Sequence, residues 1–276
     1  MIPYWGGHGQ TIYHGDCRSL LRDIPEGSID LVFTSPPYDN ARDGAYESVS
    51  LHDLVNVGSE CLRITKPGGV FVCNIDGPVI DKARSLTPFM AIIAWSELSG
   101  WRHLDTLVYR RNGAPGAYHG RFRKDHEYMT VFVKDGPRHT CNKREIATKS
   151  KHIGHIGHLT SVRRKDGVLA KRRVSGWAAE NNMTMPGTVW SYGSVGKHHD
   201  PSCDTGHPAT FPEKLARDVL SVFSNPGDTV LDPFLGSGTT LRVARDIGRN
   251  GIGIELERKW CDVAAARIDK TEDTLF

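Results

Sequence analysis

The run Thr34-Ser35-Pro36-Pro37-Tyr38 combines a hydroxyl, two prolines and a phenol in the order that would hold a flat, amine-bearing ring. Pro36 and Pro37 have no N–H and a fixed φ, so the carbonyls of Ser35 and Pro36 point outward with little conformational freedom left to lose. A hydroxyl and a carbonyl together accept both hydrogens of an exocyclic amine, and Tyr38 offers its face to an aromatic ring. A proline-rich loop with a packing tyrosine would look the same, so a second motif has to decide.

That second motif is Asp232-Pro233-Phe234-Leu235-Gly236-Ser237-Gly238-Thr239, where a strand runs into a glycine turn that opens a helix. Gly236 and Gly238 let the backbone approach a ligand, and the helix start offers unpaired N–H groups to a carboxylate. No Gly-Lys-Ser/Thr occurs there, which argues against a triphosphate loop, and Leu241 stands where the dinucleotide pattern has its third glycine. Glu255, about twenty positions on, falls where α/β nucleotide sites place a ribose-binding carboxylate. Its alternative is a surface carboxylate at the last helix. Asp16 ends the first short strand and could accept from an adenine amine if that strand neighbours the one ending at Glu255.

Strands and helices must hold these residues in place. Ile29 to Phe33, after the turn Pro25-Glu26-Gly27-Ser28, has the character of a buried parallel strand that two prolines forbid to continue. The proline motif, from Thr34 on, is then a loop at a strand's carboxyl end, where open α/β sheets bind ligands. The spacing predicts further strands at Thr11–His14, Val70–Ile75, Thr229–Asp232 and Gly251–Ile254, with helices at Arg18–Asp23, Leu51–Ile64, Leu86–Leu98, Leu241–Ile247 and Trp260–Ile268, and one opened by Phe211-Pro212-Glu213 and ended by Asn225-Pro226-Gly227. Trp101–Arg110 and Tyr128–Val133 read as an antiparallel edge pair. The alternation of strand and helix predicts a parallel sheet. The polar stretch Asp39 to Ser50 is long enough to be a substrate loop.

From Asp135 to Trp177 the apolar periodicity fades, and Lys143, Arg144, Lys149, Lys151, Arg163, Arg164, Lys165, Lys171, Arg172 and Arg173 outnumber Asp135, Glu145 and Asp166. Such a segment is either a solvated loop or a surface that tracks a nucleic acid backbone. His152, His155 and His158 recur every third residue, but no carboxylate or cysteine is spaced to complete a metal site with them, and no metal is expected.

The chain has 276 residues, 38% hydrophobic and 8% aromatic, enough for one large α/β domain with an insertion or for two domains. A net charge of +3 is too weak to argue nucleic acid globally, so the basic segment carries that argument alone. No apolar run approaches a membrane span, and the N-terminal MIPYWGGHGQ lacks a signal peptide's basic start and apolar core, so no membrane partner and a cytoplasmic location are expected. Cys17, Cys61, Cys73, Cys141, Cys203 and Cys261 contain no CxxC pair and read as reduced thiols.

With TSPPY at 34–38, HPATFPEKLARDVL at 207–220, DPFLGSGTT at 232–240 and IELE at 254–257, the sequence resembles the S-adenosylmethionine-dependent amino-methyltransferases of DNA, in their β group. The resemblance covers nearly everything outside residues 135–203. It implies a circularly permuted Rossmann-like methyltransferase sheet, with a catalytic half at 1–134, a basic target-recognition insertion at 135–203 and a cofactor-binding half at 204–276. Residue by residue, it implies that Gly236, Gly238 and Thr239 line the methionine part of S-adenosylmethionine, with Asp232 and Phe234 nearby. Glu255 would bind the ribose hydroxyls, Asp16 the adenine amine, and Pro212 and Lys214 would belong to the helix that closes the pocket. Ser35, Pro36, Pro37 and Tyr38 would be catalytic, holding and stacking the target base. Arg144, Lys151, Arg163, Arg164, Lys171, Arg172 and Arg173 are the expected contacts to double-stranded DNA.

In that family the serine form of the tetrapeptide is associated mainly with N4-cytosine and the aspartate form with N6-adenine, so Ser35 favours cytosine, with N6-adenine as the alternative. An RNA substrate, or a DNA-binding protein that has lost catalysis, are the remaining readings. The target amine is paired and stacked in a duplex, so the base must leave it. Ring-carbon methylation needs a cysteine nucleophile in a Pro-Cys dipeptide, which is absent here. An amine can instead attack the sulfonium methyl directly. A bacterial or virus-encoded enzyme is implied, and a restriction endonuclease sharing its site is a conceivable companion without direct contact.

Overall fold

The computed structural model describes residues 1–37, 49–77, 79–80, 82–112, 120, 122, 124–150, 159–166, 168–173, 180–193, 205–207 and 210–270. Tyr38, Lys151, His152, His155, His158 and Cys203 lie outside them, as do the side chains of Arg163, Lys171, Arg172 and Arg173. Nine strands form one sheet in the order Trp5–Gly7, Gln10–His14, Asn250–Glu255, Thr229–Asp232, Ile29–Thr34, Thr65–Ile75, His126–Val133, Arg102–Asn112, Val189–Gly193. Pairing is parallel from Gln10–His14 through Thr65–Ile75 and antiparallel on both sides of His126–Val133. Thr229–Asp232 is flanked by the strand that follows it in the chain and by one from the distant N-terminal part. Carboxyl-end loops diverge at such a place and leave a crevice between them.

Helices cover both faces. Glu213–Phe223 lays Leu215, Ala216, Val219 and Leu220 in the same buried cluster as Phe33, Val72 and Val131. On the opposite face, Leu51–Ile64 and Thr87–Glu97 pack over Phe71 and Phe132, where the indoles of Trp95 and Trp101 donate to the carbonyls of Leu54 and Gly58, both at 2.8 Å. Each wholly buried aromatic or aliphatic side chain contributes roughly 1.5–3 kcal/mol, so these two layers dominate stability. Among the described residues no helix is long and apolar enough to cross a membrane.

Three expectations change. The antiparallel pair is not at the edge, because Val189–Gly193 adds outside it in parallel, with Trp190 opposite Tyr109 and Tyr192 opposite Arg111. Its pattern explains why: Trp190 and Tyr192 are buried while Val189 and Ser191 are exposed, a period-two alternation that runs over only five residues. Thr34 belongs to the strand rather than the loop, and the first helix is a single turn, Cys17–Leu20, continued by a tighter one at Leu21–Asp23.

Candidate active site

Thr34 is 2% exposed, and its hydroxyl donates to Oδ1 of Asp232 at 2.7 Å. The other oxygen of Asp232 accepts from the Thr240 hydroxyl at 2.6 Å, and the Phe234 N–H donates to Oδ1 at 3.1 Å. One buried carboxylate thus joins the strand that feeds Ser35, the start of the glycine loop and the helix Thr239–Asp246. Burial pushes the Asp232 carboxyl up to about 6, against the three donors, which pull it down.

Beyond this knot lies a cavity of about 330 Å³, within the usual range for small-ligand sites. It brings together Ser35, Pro36, Pro37, Asp16, Phe234, Gly236, Thr239 and Glu255. Glu255 is fixed from both sides: the Gly236 N–H donates to Oε2 and the Glu257 N–H to Oε1, each at 2.8 Å. Burial raises its carboxyl and these two N–H groups partly offset the rise. The strand condition for Asp16 is met, since His14 pairs with Glu255 and the Gly15 N–H reaches the Glu255 carbonyl at 2.9 Å. Asp16 caps the turn Cys17–Leu20 through the Arg18 N–H and takes a two-pronged ion pair from the Arg18 guanidinium, which holds its carboxyl below the usual range.

Some expected residues are not at the cavity. Asp232 sits behind it. Gly238 is left-handed at φ 83, and a Cβ there would lie 2.6 Å from the Ala264 Cβ, so its role is to let the loop pack on the last helix. Pro212 precedes the helix Glu213–Phe223, and its carbonyl accepts from the Leu215 N–H. Lys214 points to solvent, paired with Asp218 at 2.9 Å. Arg144 lies in the turn Lys143–Ile146, next to Asn142, whose N–H bonds the Val222 carbonyl. That is the far end of an 11-residue helix, about 16 Å from the end that follows the Thr210–Phe211 wall of the cavity. Arg164 is exposed at the turn of the ribbon formed by Leu159–Arg163 and Leu169–Arg173.

Sequence reasoning missed His207, Phe211, Trp260 and Arg18. The His207 ring meets that of Trp260 edge to face at 4.5 Å, and a Cβ on Gly236 would come within 3.2 Å of its Nε2. Phe211 packs on Phe33 at 5.2 Å and lines the cavity. His207 and Phe211 stand within the matched stretch 207–220, which was the available signal; Trp260 had none. Two carboxylates at one end and Phe211, Phe234 and Trp260 along the walls fit a ligand with a hydroxyl-bearing sugar and a flat ring.

A DNA methylase family model, N6_N4_Mtase, matches residues 29–266. The orphan methyltransferase M.BamHII of Bacillus amyloliquefaciens is 32% identical over 90% of this chain and 92% of its own length. The DNA adenine methyltransferase YhdJ of Escherichia coli is 31% identical over 96% of this chain and 84% of its own. Among solved structures, the cytosine-N4-specific PvuII DNA methyltransferase superposes with a TM-score of 0.70 over 97% of this chain and 88% of that one, at 21% identity. The M1.HpyAVI complex with its cofactor SAM does so at 0.62 over 95% of this chain and 100% of that one, at 22% identity. These two show a shared fold. The chain belongs to the N6/N4 DNA methylase family.

Proposed function

We propose that this chain methylates the N4 amine of a cytosine extruded from double-stranded DNA. S-adenosylmethionine is the methyl donor and supplies an electrophilic sulfonium methyl group. Ser35 carries the choice of base: it is the first residue beyond the Thr34–Asp232 knot, and it lines the same cavity as Glu255 and Gly236. Glu255 would hold the ribose hydroxyls, Asp16 the adenine amine, and Gly236 and Thr239 the amino-acid end. The Ser35 hydroxyl and the Pro36 carbonyl would accept the two amine hydrogens. Acceptors placed in this way draw the nitrogen lone pair out of ring conjugation and aim it at the methyl group. Cys17 also lines the cavity, but burial pushes its thiol to about 12, so it is protonated near neutrality and unsuited to attack on a ring carbon. Arg163, Arg164, Lys171, Arg172 and Arg173 fall on one two-stranded ribbon, an element that fits a major groove, and Lys151 precedes it in the chain.

The second reading, N6-adenine, is favoured by one observation: the Escherichia coli relative named as an adenine enzyme spans 96% of this chain. Mass spectrometry of nucleosides from unmethylated DNA incubated with the protein and S-adenosylmethionine separates the two. N4-methylcytosine is the expected product. N6-methyladenine would keep the mechanism and overturn the base.

A further inference from the structure

The last helix carries a cation that no motif singles out. Arg267, in Arg258–Asp269, is 13% exposed. Its Nη1 donates to the Ser237 carbonyl at 2.7 Å, to Ser237 Oγ at 3.1 Å and to Thr239 Oγ1 at 3.2 Å. Its Nη2 donates to Glu213 Oε1 at 2.8 Å. Ser237 and Thr239 belong to the glycine-loop wall of the cavity, and Glu213 opens the helix that directly follows the Thr210–Phe211 wall. One planar guanidinium therefore ties two walls that approach each other from different parts of the chain. A rigid fork of donors can serve both at once, whereas a lysine ammonium on its flexible stem cannot keep both geometries.

We propose that Arg267 is a positioning residue for the methyl donor. It does not line the cavity; it sets the spacing between the glycine loop and the Thr210–Phe211 wall, so donor affinity depends on it. The inference rests on the donor assignment of this cavity.

Calorimetric titration of the full chain with S-adenosylhomocysteine, without DNA, tests it. Arg267→Ala is expected to weaken binding about thirtyfold, the upper end of what a residue that shapes a site without touching its ligand contributes. Arg267→Lys should recover part of this, to about tenfold, because it keeps the charge but not the fork. Glu213→Gln keeps an acceptor for Nη2 without the charge and should cost about threefold. In steady state the KM for the donor should rise by the same factors, while kcat at saturating donor stays within about threefold of wild type. Should Arg267→Ala fail to fold, the lysine and glutamine variants carry the test. Wild-type affinity in both, or a loss of kcat and thermal stability with donor KM unchanged, would overturn the clamp. Wild-type protein that binds no S-adenosylhomocysteine would overturn the donor assignment, and the clamp with it.

Discussion

Thr34 and Asp232 are 198 residues apart in the chain and meet in a 2.7 Å hydrogen bond. The strand that leads to the proline loop, proposed to hold the target amine, and the strand that leads to the glycine loop, proposed to hold the donor, are thereby joined where both end. Chemistry between an amine and a methyl group needs the two loops in a fixed relation, and this contact lies directly beneath both.

Thr34→Val keeps the shape of the side chain and removes its donor to a buried carboxylate. It should lower stability in urea unfolding by about 1–3 kcal/mol, and Thr34→Ser should restore most of it. Equal stability of the valine and wild-type chains would show that the contact is not made.

Asp232 has a pH signature. Folded, it keeps its proton up to about pH 6, whereas the unfolded chain releases it near 3.8. Between these values the native state binds more protons, so stability from this group is present below about pH 4 and is lost as pH rises through about 6. The loss is on the order of 2–3 kcal/mol. Plotting the stability of wild type minus Asp232→Asn against pH isolates this group, and the difference should fall over that window; a flat or rising difference would refute the assignment.

Gly238→Ala should be severely destabilising, because a left-handed φ of 83 combines with a Cβ 2.9 Å from the Ala264 Cα. Gly27→Ala is the control: it shares the positive φ, at 61, but a Cβ there meets nothing within 4 Å. The control should lose about 1–2 kcal/mol by thermal unfolding, from backbone strain alone, and Gly238→Ala distinctly more.

Glu255→Gln replaces one of two acceptors by an amide N–H that must face the N–H of Gly236 or of Glu257. That cost falls on the free and bound protein alike; the binding loss comes from the acceptor no longer offered to the ribose hydroxyls, about 1.5–3 kcal/mol for a bond to a charged group, or roughly 10- to 150-fold weaker S-adenosylhomocysteine binding by calorimetry.

Ser35→Ala should lower turnover roughly 10- to 100-fold with little change in DNA affinity, since only one acceptor of the amine is removed. Tyr38→Ala should instead weaken binding of DNA that carries a displaced base, by about 1–3 kcal/mol of stacking. Normal methylation by both variants would sink the assignment of the loop.

Much of this was legible in the residues themselves. The prolines at 36 and 37 end a strand wherever it sits, and the glycine turn at 236–238 opens a helix for local reasons, so both loops and most strands could be placed from the chain alone. The edge strand Val189–Gly193 was not, because two inward aromatic residues in a strand of five are a weak signal.

What the sequence by itself determined is local: a proline-stiffened loop at a strand's end, a glycine turn that opens a helix and a carboxylate at Glu255, all properties of short contiguous segments. Only the tertiary structure decided which residues meet. The buried Thr34–Asp232–Thr240 knot, the His207–Trp260 wall and the Arg267 fork each join segments far apart in the chain. Their geometry depends on strand order and on helix packing against the sheet, which no local spacing encodes. Lys214 and Gly238 make the converse point. The resemblance implied that Gly238 lines the donor and that Lys214 belongs to the helix closing the pocket, yet Lys214 faces solvent and Gly238 faces Ala264, because packing of the whole chain determines where a residue points.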